Sequence, residues 1–180
     1  MIQEWLVLKR RMTANYPLFQ IEEKNVRSPR TGAVMDVQAI HFPDWVVVLP
    51  ITRDQTVIMI HQYRHGNEKI CLELPGGLVD SDDDSPKTTA QRELLEETGY
   101  RSKQIVKIGE TYPQPAVLSN RCSFYLANDV ERVGEMSLEA GEEISLVHIP
   151  INAIPSKIKR QEIDNAMTIL AFSYYWMMAW

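Results

Sequence analysis

One helix constrains this chain more than any other feature. Ser85 can cap its N-terminus, and Pro86 sits at the first helical position, where its missing N–H costs nothing. Good helix formers run from Lys87 to Thr98, and Gly99 supplies the stop. Within it, Arg92-Glu93-Leu94-Leu95-Glu96-Glu97 places three glutamates at i, i+3 and i+4. Those offsets put Glu93, Glu96 and Glu97 on one face, close enough to repel. Such a face is either solvated or compensated. A hard divalent cation, Mg²⁺ or Mn²⁺, compensates it, because such ions prefer carboxylate oxygens. Arg92, four residues before Glu96, can brace that carboxylate, while Leu94 and Leu95 turn toward a core. Upstream, Pro75-Gly76-Gly77 and the acidic loop Asp80 to Asp84 complete a strand–loop–helix unit. Glycines there let backbone approach a ligand closely, which favours a site over a merely solvated face.

The rest of the chain reads as a mixed α/β (α+β) protein: a mixed β-sheet between helices, with an N-terminal antiparallel β extension. The sequence divides into residues 1–44, the extension, and residues 45–180, the main body. In the extension, Trp5 to Leu8, Leu18 to Lys24 and Val34 to Ile40 read as strands, the last two joined by a turn at Ser28 to Gly32. So small a sheet must pack on the remainder or on a second copy of the chain. In the body, Val46 to Leu49 is a continuous apolar run, expected of a strand covered on both faces. Val57 to Ile60, Leu72 to Leu74, Ile105 to Ile108, Cys122 to Ala127 and Ile144 to Ile149 read as further strands. Ile151 to Arg160 reads as a helix interrupted by Pro155, and Asp164 to Trp180 as a final helix.

Composition narrows the function classes. A net charge of −5 argues against a duplex nucleic-acid partner, which selects for a basic excess. Cys71 and Cys122 make no disulfide framework and read as small buried side chains. The apolar run from Ala166 to Trp180 is too short to span a bilayer, so no membrane partner is expected. No targeting segment is evident, and a cytoplasmic location is the expectation.

The stretch Gly77 to Tyr100 resembles the Nudix box, G-x5-E-x7-R-E-U-x-E-E-x-G-U with U apolar. Arg92, Glu93, Leu94, Glu96, Glu97, Gly99 and Tyr100 fit position by position. Two departures stand out: Asp84 takes the place of the first glutamate, and one extra residue lies between Gly77 and Asp84. His61-Gln62-Tyr63-Arg64-His65-Gly66 followed by Leu72-Glu73-Leu74-Pro75-Gly76-Gly77 is similar to the strand pair preceding the box in ADP-ribose pyrophosphatases. Pro115, fifteen residues after Tyr100, has the spacing that marks that subfamily. Tyr112-Pro113-Gln114-Pro115, Glu142-Glu143-Ile144 and Ile163-Asp164-Asn165-Ala166 resemble its later segments.

The resemblance implies a Nudix fold and a Mg²⁺-dependent (Mn²⁺ possible) pyrophosphohydrolase of ADP-ribose or a related nucleoside diphosphate sugar. It implies metal ligands at Glu93, Glu96, Glu97 and the Gly76 carbonyl, and a general base at Glu142, with Glu143 and Glu139 as neighbours in contention. Arg64 is a candidate to contact a phosphate oxygen or the terminal ribose, Arg121 a candidate to face the phosphates, and Trp45, Phe42 or Phe19 candidates to stack on adenine. His61, His65 and His148 are assigned to structure, since Mg²⁺ favours oxygen ligands. A homodimer is expected, with residues 1–44 completing it. The other readings are a Nudix hydrolase of GDP-mannose or a nucleoside triphosphate, and a sensor that binds a nucleotide sugar without cleaving it.

Overall fold

The computed structural model describes residues 1–178. The chain forms two compact units, one of Met1–Asp44 with Tyr112–Arg121, the other of Trp45–Thr111 with the chain from Cys122 onward.

The first unit is a three-stranded antiparallel sheet, β1 (Leu6–Asn15), β2 (Gln20–Arg27) and β3 (Val34–His41), in that order. β1 runs well past Leu8 because Lys9-Arg10-Arg11 does not end it. Arg10 pairs across the strands with Glu22 at 3.1 Å, and Arg11 with Glu23 at 2.7 Å. Glu22 is buried and also meets Lys24 and His41. Burial raises its pKa, but hydrogen bonds from His41, Arg10 and Lys24 outweigh that and hold it at about 2. The β2–β3 turn closes through Gly32, whose φ of 72° falls where glycine is unstrained. Tyr112–Arg121 joins this unit rather than its neighbours in sequence. Ile40 N–H donates to Val117 O at 2.7 Å, and Arg121 N–H to Asp44 Oδ1 at 2.7 Å.

The second unit is a mixed sheet between helices. Its strands are β4 (Trp45–Ile51), β5 (Thr56–Arg64), β6 (Lys69–Glu73), β8 (Gln104–Thr111), β9 (Cys122–Asn128) and β11 (Ile144–Pro150), in the order β11-β5-β4-β9-β8 with β6 also on β5. Two short strands, β7 (Tyr100–Arg101) and β10 (Glu131–Arg132), pair separately. β4 and β9 run parallel; the remaining pairs of the sheet are antiparallel. The apolar run of β4 is the central strand that both faces bury. Val46 and Val48 pack with Ile58, Tyr125 and Ala127 under Ala90 and Leu94 of α1 (Pro86–Thr98). Leu49 and its neighbours Met59, Phe124 and Leu126 face Ala171 and Phe172 of α3 (Ala166–Met177). Each of the valine, leucine, isoleucine, methionine and phenylalanine side chains stabilises the fold by roughly 1.5–3 kcal/mol when fully buried.

Two helix expectations shift. Pro155 does not interrupt a helix but lies in the first turn of α2 (Ile154–Lys159), after a 3₁₀ turn at Ile151–Ala153. The last helix begins at Ala166 because Asn165, not Asp164, accepts from the Thr168 N–H at 2.9 Å. Ala179 and Trp180 lie outside the described residues. No helix among the described residues is long and apolar enough to cross a membrane.

Candidate active site

The site begins where β6 leaves β5 and runs beside β4. Val48 N–H donates to Pro75 O and Val46 N–H to Gly77 O, each at 2.9 Å. Only glycine fits at the closest point, because a Cβ on Gly76 would collide with the Val46 carbonyl oxygen. This crossing presents the Gly76-Gly77 backbone to α1. The helix forms as its caps dictate. Ser85 Oγ accepts from Thr88 N–H at 3.3 Å, and Gly99, with φ of 72°, donates to Leu95 O at 2.8 Å.

Two of the three glutamates turn inward. Glu97 is only 2% exposed, and its Oε2 accepts from the Gly76 N–H at 2.8 Å. Burial pushes its pKa up to about 8, against that hydrogen bond and with help from the charges of Glu93 and Glu142. Glu93 is also buried, and its carboxylate occupies the space that a Cβ on Gly77 would need. Burial drives it up to about 7, opposed by Arg92 and reinforced by Glu96 and Glu142. Glu96 is more exposed. Arg92 ties the cluster together, reaching Glu93 at 3.0 Å, Glu96 at 2.9 Å, Asp80 at 3.0 Å and Asp83 at 3.1 Å.

The acid that braces this arginine is Asp83, not Asp84. Asp83 also accepts from Thr89 Oγ1 at 2.9 Å, whereas Asp84 is exposed. Five residues separate Gly77 from Asp83, the family's own spacing, so the extra residue lies between Asp83 and Arg92.

Arg64 reaches the same sheet face. β5 and β6 pair Ile60 with Glu73, Gln62 with Cys71 and Arg64 with Lys69, so Gln62, Arg64 and Glu73 share the face of Ile58, which packs under α1. Glu97 is among the charges that raise the Arg64 pKa, behind the opposing effect of burial and the contacts of Glu73. Glu142 precedes β11 in a turn, where its Oε2 accepts from Glu139 N–H at 3.0 Å. Its charge acts on both Glu93 and Glu97. Sequence reasoning assigned no role to Asp83 or Glu73. An acid at the family spacing from Gly77 and an acid in a strand beside an arginine-bearing strand were the available signals. Gln62 Oε1 is buried without a hydrogen-bond partner on this face.

Trp45 packs with the core facing α3, because alternation along β4 sends it to the face opposite Val46 and Val48. Phe19 and Phe42 stack at 5.1 Å within the first unit. Arg121 belongs to that unit too, with its guanidinium carbon 5.3 Å from the Tyr112 ring centroid. His148 meets Tyr100 Oη at 3.0 Å.

Residues 41–169 match the NUDIX domain, which is most of the chain and includes α1 and its carboxylates. The chain belongs to the Nudix family. Over 144 residues this Nudix chain is 28% identical to an ADP-ribose pyrophosphatase of Bacillus subtilis (strain 168), covering 79% of this chain and 77% of that protein. It is 28% identical, with the same coverage, to a methanol dehydrogenase activator of Bacillus methanolicus. It is 30% identical over 128 residues to a GDP-mannose pyrophosphatase of Citrobacter koseri, covering 67% and 66% of the two chains. A solved structure described as an ADP compounds hydrolase superposes with a TM-score of 0.87 at 21% identity, covering 99% of this chain and 95% of that one. The fold is the Nudix fold, and the chain is a Nudix-type hydrolase.

Its donor set suits a hard cation. The carboxylates of Glu93, Glu96 and Glu97 offer oxygen ligands, and two of them are buried where positive charge relieves them most. As the side chains lie, Arg92 and the Gly76 N–H occupy them. Among the described residues, no three His, Cys, Asp or Glu side chains already converge as a metal site.

Proposed function

We propose that this hydrolase is a Mg²⁺-dependent pyrophosphohydrolase, with Mn²⁺ able to substitute. It would cleave ADP-ribose or a related nucleoside diphosphate sugar to a nucleoside monophosphate and a sugar phosphate. The observation that carries this reading is the buried Glu93–Glu97 pair against the Gly76-Gly77 turn, with Arg64 on the same sheet face. Carboxylates that deep are costly unless a cation joins them. Similarity to an ADP-ribose pyrophosphatase and to GDP-mannose pyrophosphatases supports the substrate class.

Glu93, Glu96, Glu97 and the Gly76 carbonyl would hold the metal. When bound, Mg²⁺ supplies charge for the diphosphate and lowers the pKa of the attacking water. Arg92 holds Glu93 and Glu96 in place, with Asp83 behind it. Arg64 binds a phosphate oxygen, for which a guanidinium fork is suited. Glu142, in the turn before β11, accepts the proton of the attacking water.

Incubation with ADP-ribose and Mg²⁺ should yield AMP and ribose 5-phosphate, read by chromatography. Binding without these products would favour the sensor reading. Faster release of GMP from GDP-mannose would favour the GDP-mannose reading, which the 30% identical relative supports. Glu142→Gln should lower turnover at least ~10²-fold. A smaller loss hands the role of base to Glu143 or Glu139.

We also infer a homodimer built on the first unit. Its sheet leaves Leu6, Leu8, Met12, Val34 and Met35 exposed, with Trp5 exposed just before it, and apolar side chains of this kind suit burial in a two-fold interface. Light scattering at the 20.7 kDa of a single chain would overturn this.

A further inference from the structure

Glu73 is nearly inaccessible, 3% exposed, at the last position of β6. A carboxylate there needs a partner, and the partner is Arg64. Arg64 Nε donates to Oε2 at 3.1 Å and to Oε1 at 3.3 Å, and Nη2 donates to Oε2 at 2.7 Å. This clamp uses the Nε–Nη2 edge of the guanidinium and leaves the Nη1 edge outside it. The arginine side chain is 44% exposed, while the Glu73 side chain that grips it is nearly inaccessible.

The clamp is anchored to the same backbone as the buried glutamates. Leu74 N–H donates to Thr168 Oγ1 at 3.1 Å, fixing the residue after Glu73 to α3. Two residues further on, Gly76 N–H donates to Glu97. One short segment therefore sets both the carboxylate that grips Arg64 and the amide that grips Glu97. Glu73 touches the arginine and has no hydrogen bond to the helix glutamates in this arrangement.

We propose that Glu73 is a positioning residue that holds the Arg64 guanidinium so that its Nη1 edge meets a diphosphate oxygen of the substrate. This rests on the reading of the site given above and deepens it. An unclamped arginine has many rotamers, and ordering them on binding weakens affinity; a clamped one is ordered beforehand. Losing the outer-shell partner of a metal ligand typically costs ~10–100-fold in affinity or activity, and the effect expected here lies at the low end of that range.

The test is a double-mutant cycle with ADP-ribose at saturating Mg²⁺. Glu73→Gln should raise KM ~10-fold and change kcat less than ~3-fold, the pattern of lost uniform binding. Arg64→Ala should raise KM at least as much. The double variant should be no worse than Arg64→Ala alone, because the carboxylate acts only through the arginine. Arg64→Lys keeps a cation beside Glu73 but loses the fork, and should raise KM with a melting temperature near wild type. An unchanged KM in Glu73→Gln or Arg64→Lys, or additive effects in the cycle, overturns the positioning role and leaves the activity standing. Wild-type protein that neither binds nor cleaves ADP-ribose overturns the functional reading, and this inference with it.

Discussion

Glu97→Gln is expected to lower kcat at least ~100-fold, more than loss of an orienting partner alone costs. The amide preserves the side chain's shape and an oxygen to accept from the Gly76 N–H. What it removes is an ionisable carboxyl, 2% exposed and beside a second buried one, that burial pushes up to a pKa of about 8. Without metal the fold must either bury its charge or take up a proton to neutralise it, a cost rather than a support. The variant should therefore melt at or above the wild-type temperature in the presence of a chelator. Activity and stability then move in opposite directions, which separates loss of function from loss of fold. Turnover close to wild type would remove Glu97 from the site. Lost turnover with a melting point lowered by more than ~5 °C would instead mark a structural role.

The two glycines of the turn should behave differently although they are adjacent. Gly76→Ala sets a methyl group against the Val46 carbonyl, a backbone atom held by the sheet. No rotamer change relieves that, so the cost should reach about 3 kcal/mol, the upper end for overpacking. For a chain of this size that is a fall in melting temperature of roughly 6–12 °C. Gly77→Ala meets the Glu93 carboxylate, the far end of a side chain that can swing aside. Its melting temperature should fall by less than ~3 °C while turnover falls at least ~10-fold through displacement of Glu93. Calorimetry and an AMP-release assay on both variants check this. Equal losses of stability would show that Glu93 is as rigidly held as the strand.

Much of the site was readable because it is written in neighbouring residues. Ser85, Pro86 and Gly99 marked the helix ends that the structure has. The glutamate spacing put Glu93, Glu96 and Glu97 on one side of the helix, away from the leucines, but did not show that Glu93 and Glu97 are buried together with Leu94 while Glu96 stays more exposed. Where a residue's fate depends on what lies across a sheet, local signals were insufficient. The charges Lys9 to Arg11 obscured the true length of β1 until their partners on β2 were known. Asp83 and Asp84 differ in sequence by one position, yet only Asp83 meets Arg92. The pairing of Arg64 with Glu73 follows from the register of β5 on β6, which no local pattern states.

Capping, helical period and the apolar run of β4 are interactions within one turn or one strand, so adjacent residues suffice to specify the carboxylate-bearing helix and the central strand. Burial of Glu93 and Glu97, the face taken by Trp45 and the clamp on Arg64 arise from segments distant in the chain. They depend on strand register and on what packs opposite, because desolvation and hydrogen-bond geometry belong to the assembled surroundings and not to the residue alone.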